Sequence, residues 1–354
     1  MLIVDGHLDL AMNALEWNRD LRRTVAEIRR SERGYRDKGR AANTVAFPEL
    51  KQGRVMMSFA TLIARIAHET NGFKGNNGQE ICHAKAMGHL AYYRLFERSG
   101  YLRILTDWPS VERHVAAWRA APKGEEPPHG IVLSMEGADP ITSPDELSFW
   151  WENGLRLLGL AHYGVSSYAH GTGTEGGLLG DAKALLKGME ELGFILDLTL
   201  LADQSFWEAL EAFGGPVHAS HCNCRALVPD QRQLADDQIK AVIERGGVIG
   251  IAFDLWMLQP GWVHWIAFNE KKESLDAIVR HIDHICNLAG NADHVALGTD
   301  LDGGYGIEQT PLGLDTIADL QKIPPLLRAR GYSEDDIAKI MHGNWLSLLE
   351  RSWA

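Results

Sequence analysis

A chain of 354 residues with 45% hydrophobic content can bury a sizeable core, and a formal net charge of −12 with no basic run argues against a nucleic-acid partner. No run of about 18 apolar residues is present, so no membrane-spanning helix is expected. No charged and apolar leader precedes Asp5, and Cys82, Cys222, Cys224 and Cys286 form neither a disulfide framework nor a CxxC pair, so a cytoplasmic protein with reduced thiols and no signal peptide is expected.

In chain order, eight apolar runs read as short buried strands: LIVDG (2–6), RVMMSFA (54–60), GIVLSME (130–136), LRLLGLA (155–161), GFILDLT (193–199), GPVHAS (215–220), GVIGIAF (247–253) and HVALGT (294–299). Near-continuous hydrophobicity suits parallel strands covered on both faces. Helical patterns at 180–193, 202–214, 235–247 and 273–290 lie between the later ones; in the last, Leu275, Ile278, Val279, Ile282 and Ile285 keep the one-face spacing. Asp203 and Asp236 suit helix starts, and Gly193, Gly214, Gly246 and Gly290 suit stops. SEDDIAKIMHGNWLSLLERS reads as a capped helix followed by a closing helix.

Eight strands alternating with helices predict an α/β fold, a closed (β/α)8 TIM barrel. A ninth run, LRILTDW (102–108), is assigned to an insertion after the second strand. Loops are expected at 71–79, 123–130 and 170–177; none marks a boundary, so residues 1–354 are read as a single domain. The doubly wound alternative lacks its usual G-x-G-x-x-G after a strand.

In such a barrel, chemistry sits at the C-terminal strand ends. The first run ends in His7 and Asp9, which share one side of an extended strand. Taken alone, His-x-Asp reads as a core histidine and a helix N-cap. The third run ends in Glu136, the fourth in His162, the sixth in His221 and the eighth in Asp300. The joint pattern favours a cation held by nitrogen and oxygen ligands, zinc ahead of manganese, cobalt or iron. Glu136 is placed to bridge two ions, and Asp300 to hold a water and pass its proton to a leaving amine.

The motifs DGHLDL, SMEGAD, GLAHYG, ILDLTLLADQSFW, HASHCNCRAL, RQLADDQ, ALGTDLDGG and GNWL occur in this order over nearly the whole chain. In this the chain resembles the membrane dipeptidase (renal dipeptidase) family, metallopeptidase family M19, of the amidohydrolase-like barrels. The resemblance implies a zinc-bearing barrel that cleaves dipeptides, often with a D-residue at the C-terminal position, and a homodimer. It implies His7, Asp9, Glu136, His221 and Asp300 as metal ligands, with Glu136 bridging. It makes Asp300 the acid/base, His162 the group that polarises the tetrahedral intermediate, and Arg232 the partner of the substrate carboxylate, a task that suits a planar guanidinium. Arg225 nearby is read as either a solvent-facing charge or a support.

One implied ligand is missing. The fifth strand of the family ends in a D-L-S-H type sequence, and here Leu200 stands at the histidine's place. One tight zinc at His7, Asp9, Glu136 and Asp300 and a weak or absent second ion are therefore expected. His218 is discounted as a replacement because strand alternation turns it away, and loop residue His170 is the other candidate. The leading reading is a dipeptidase acting on a small-molecule substrate with a free carboxylate. The alternatives are a mononuclear hydrolase of another small amide, such as an N-acyl amino acid, and a catalytically idle barrel that binds a small carboxylate. Trp150, Trp151, Trp256, Trp262 and Trp265 lie in or near loop segments and are read mainly as packing residues.

Overall fold

The computed structural model describes residues 1–67, 75–122, 124–263 and 272–354. Residues 71–74 of the first expected loop, Lys123 of the second, and Trp265 lie outside the described residues. The strands are β1 (Ile3–Leu8), β2 (Val55–Ile63), β3 (Leu102–Ile104), β4 (His129–Glu136), β5 (Leu155–Gly159), β6 (Ile195–Asp197), β7 (Val217–His218), β8 (Ile249–Ile251) and β9 (Val295–Leu297). Eight form a parallel ring in the order β7-β6-β5-β4-β2-β1-β9-β8, and a parallel bridge between Ala219 and Ile249 joins its two ends. This is the expected barrel.

The ninth apolar run behaves differently from a ring strand. Leu102, Arg103 and Ile104 of β3 pair with His129, Gly130 and Ile131, and β5 takes β4 from Leu133 onward. β3 is thus a short addition beneath β5, contributed by the segment between β2 and β4.

Residue alternation sorts the strands into two apolar layers. Ile131, Leu133 and Met135 face outward to the helices, whereas Val132 joins Val4, Phe59, Leu157, Ile195, Ala296 and Trp345 in a second cluster inside the ring. Trp345, on the helix Asn344–Trp353, seals the interior below the strand ends and donates from Nε1 to the Leu297 carbonyl at 2.8 Å. Gly6 is required above it. A Cβ there would lie 2.5 Å from the Trp345 ring and 2.8 Å from the Ser220 carbonyl.

The expected helix stops hold at Gly193 and Gly290, both left-handed, with φ of 90° and 73°. The C-terminal segment also follows expectation with one change. Ser333 caps Glu334–Ala338, but a wide turn at Lys339–Gly343 carries it directly into the final helix.

Candidate active site

The end of β1 is irregular. Asp5 pairs with Ser58 and Leu8 with Ala60, so three residues of β1 advance against two of β2. This bulge switches the facing pattern. Leu8 goes to the outer layer, which leaves His7 and Asp9 on the cavity side. Asp5 anchors the bulge. Its Oδ1 accepts from the Thr299 amide at 2.8 Å and the His7 amide at 3.2 Å, and its Oδ2 accepts from the Thr299 hydroxyl at 2.6 Å. Burial pushes the Asp5 carboxyl up to about 6 although these bonds favour its charged form.

β4 is regular to its end, and Glu136 faces inward with Val132 and Ser134. Its carboxylate is central. Oε1 lies 3.4 Å from His221 Nε2 and 3.5 Å from His162 Nε2, and Oε2 lies 3.7 Å from His7 Nε2. His7 Nε2 is also 3.6 Å from Asp9 and 3.7 Å from Asp300. Asp300 sits in a left-handed turn with φ of 57°. Gly303 makes room for it, since a Cβ there would lie 1.8 Å from Asp300 Oδ1. The structure therefore brings together all five expected ligands, His7, Asp9, Glu136, His221 and Asp300, with His162 beside them.

The arrangement fits a divalent cation. His7 Nε2 is buried without a hydrogen-bond partner and faces three carboxylates. Two donor sets, His7–Glu136–His221 and His7–Asp9–Asp300, each have ligand atoms within 4.8 Å of one another. The supporting hydrogen bonds point the same way. Ser220 Oγ lies 2.8 Å from His221 Nδ1 and leaves Nε2 toward Glu136, while the Thr61 hydroxyl donates to Asp9. Ser220→Ala is expected to weaken metal affinity at the place that His221 serves about 10–100-fold, read by competition with a chromogenic chelator.

Charge without a cation is distributed unevenly. Burial pulls the His7 imidazole down, but Glu136, Asp9 and Asp300 outweigh it and push it up to about 10. Burial pushes the Glu136 carboxyl up to about 7. His162 and His221 are held well below the ordinary imidazole range by burial and by neighbouring cationic groups. A cation needs neutral His7, so metal uptake at pH 7 is expected to release at least one proton, and affinity to rise with pH up to about 10. Calorimetry in buffers of different ionisation enthalpy reads the proton directly; uptake without release would contradict this charge state.

Leu200 lines the cavity at the missing ligand's place, with φ of 67° and its carbonyl accepting from the Thr172 amide at 2.7 Å. Neither alternative histidine substitutes. His218 lies inside the barrel one layer lower, 3.6 Å from Asp197 and edge-on to Phe59 and Trp345. Alternation does not turn it out of the ring as expected; it faces the interior below the cavity and does not line it. His170 packs against Gly176 and does not reach the cavity lining.

The cavity over the cluster encloses about 640 Å³. Arg232 lines it, buried, with Nη2 donating to the His221 carbonyl at 2.8 Å and Nη1 to Cys222 Sγ at 3.3 Å. Arg225 is a support: it grips the Asp203 carboxylate at 2.7 and 3.0 Å. Trp256 lines the cavity; Trp150 and Trp151 pack among aromatic rings, and Trp262 donates to Gln309 at 2.9 Å. Four charged lining residues, Glu16, Arg65, Lys85 and Asp254, went unread in the sequence. Arg65 follows β2, which runs three residues past its expected end, and contacts His162 Nδ1. Asp254 follows the seventh apolar run, where the strand-end rule finds it.

The family description Membrane dipeptidase (Peptidase family M19) matches residues 1–352. An uncharacterized protein from the pqqA 5′ region of Klebsiella pneumoniae is 33% identical over 232 residues, 63% of this chain and 82% of its own length. An uncharacterized dipeptidase of Schizosaccharomyces pombe is 30% identical over 223 residues, 61% of this chain and 51% of that relative. Several curated relatives are matched over only about half their length, 50–51%. Among solved structures, a metallo peptidase from Rhodobacter sphaeroides, liganded with a phosphinate mimic of the dipeptide L-Ala-D-Ala, superposes with a TM-score of 0.79 at 23% identity, over 100% of this chain and 99% of that one. That likeness bears on the fold; the family match runs over essentially the whole sequence, and the chain belongs to the membrane dipeptidase family, peptidase family M19.

Proposed function

We propose that the protein is a zinc-dependent dipeptidase that hydrolyses small dipeptides with a free C-terminal carboxylate and accepts a D-residue there. The observation that carries this is the convergence of His7, Asp9, Glu136, His221 and Asp300 around one buried, unpartnered imidazole nitrogen. His7, Asp9, Glu136 and Asp300 would hold one ion firmly. The second place keeps only Glu136 and His221 from the expected set, below the three protein ligands usual for catalytic zinc. A bound divalent ion supplies Lewis acidity and eases ionisation of water near neutral pH.

The chain's own groups divide the remaining work. Arg232 binds the substrate carboxylate bidentately and fixes which end enters. The Asp300 carboxylate stands at the same centre, 3.7 Å from His7 Nε2, and would accept a proton from the attacking water and deliver it to the leaving amine. His162 Nε2 faces the same centre and meets the oxygen that gains negative charge.

The test is release of alanine from L-Ala-D-Ala by metal-loaded protein. Absence of release across added zinc, manganese and cobalt would sink the reading. Arg232→Met is expected to raise KM about 10–100-fold with a smaller change in kcat, the loss of a charge-assisted pair. An unchanged KM would remove Arg232 from substrate binding.

A further inference from the structure

We propose that Arg65 makes the acyl-side half of the cavity an anion site, so that preferred substrates carry a carboxylate on the N-terminal residue. This rests on the dipeptidase reading and adds a substrate class to it. Arg232 follows β7 and Arg65 follows β2, four strands apart in a ring of eight, hence on opposite rims. The ligand cluster lies between them, on the ends of β1, β4, β7 and β9. A dipeptide with its C-terminal carboxylate on Arg232 and its amide over the cluster therefore extends its N-terminal residue toward Arg65.

Arg65 is fixed in place. Its carbonyl accepts from the Asn76 amide at 2.8 Å and from Asn76 Nδ2 at 2.9 Å, and the next amide, of Ile66, donates to Asp139 at 3.0 Å. Its guanidinium rests on His162 Nδ1, so the charge stands beside the reacting centre. Burial lowers the Arg65 pKa, the mark of a partly desolvated cation, and a guanidinium remains charged there. Lys85 adds a second cation to this rim, and among the described residues Glu16 lines it 3.8 Å from Lys85. A fork of five donors recognises a carboxylate better than the neutral amide of equal shape.

The experiment compares L-Asp-D-Ala with its isostere L-Asn-D-Ala, and includes L-Ala-D-Ala, on the metal-loaded protein and on Arg65→Met and Arg65→Lys. The wild type is expected to favour the Asp peptide by about 10-fold or more in kcat/KM, a typical margin for a charged hydrogen bond. Arg65→Met should bring that ratio to within about twofold of one, and Arg65→Lys should keep part of it. Equal cleavage of the Asp and Asn peptides by the wild type overturns the proposal while leaving the dipeptidase reading intact. A preference that survives Arg65→Met, whatever the overall loss of rate, also overturns it and makes Arg65 a positioning residue for His162. Failure to cleave any of the three peptides removes both readings together.

Discussion

Glu136→Gln is expected to lower kcat/KM on L-Ala-D-Ala by about 10³-fold or more, the several kcal/mol that a catalytic cation contributes. The size follows from its position. Glu136 belongs to one donor set and lies 3.7 Å from His7, the residue both sets share, so one substitution removes a ligand at the centre of the cluster. The same change should stabilise the metal-free protein. Burial holds the Glu136 carboxyl near 7, above its usual value of 4.5, so ionising it costs more in the folded chain than in the unfolded one. That cost builds between about pH 4.5 and 7 and is full above 7. The amide variant avoids it, so its metal-free Tm should exceed that of the wild type at pH 8 and match it below pH 4. Metal should then raise the wild-type Tm much more than that of the variant. Equal rates for the two proteins would remove Glu136 from the centre.

Leu200→His is expected to raise bound zinc from one ion per chain to two, with affinity for the second at least about 100-fold tighter than in the wild type, since even a supporting residue of a metal ligand alters affinity 10–100-fold. The position is ready for it. Leu200 already lines the cavity, and its φ of 67° is a conformation that histidine adopts more readily than leucine. The new ring would join Glu136 and His221 in a three-ligand set. Metal counting after dialysis at graded free zinc reads the result. Two equally tight ions in the unmodified protein would show that the leucine has not weakened the second place.

The ligand cluster was legible because a barrel converts chain order into a circle. Any polar residue just past a buried run lands on the same rim, so His7, Glu136, His162, His221 and Asp300 could be read one strand at a time. The same rule finds Asp254, but it misses Arg65 when β2 is taken to stop at Ala60 rather than Ile63. Strand length was less legible. The runs at 193–199, 215–220, 247–253 and 294–299 hold ladders of only two or three residues, because the apolar stretch continues into buried loop after the last strand pairing. Least legible were the supports. The β1 bulge, the Asp5–Thr299 bonds and the Ser220–His221 contact depend on which strands become neighbours, and alternation along one strand carries no record of that. The fate of LRILTDW has the same cause: its apolar character marks a strand, but not which edge it joins.

The Asp5–Thr299 clasp joins positions 294 apart in the chain. During synthesis the tip of β1 leaves the ribosome early and waits, without its β9 neighbour, while most of the barrel is made. Its histidine and aspartate have no shared cage in that interval. Metallation is therefore expected to follow closure of the ring, since a nascent chain stalled before Thr299 lacks both the clasp and Asp300.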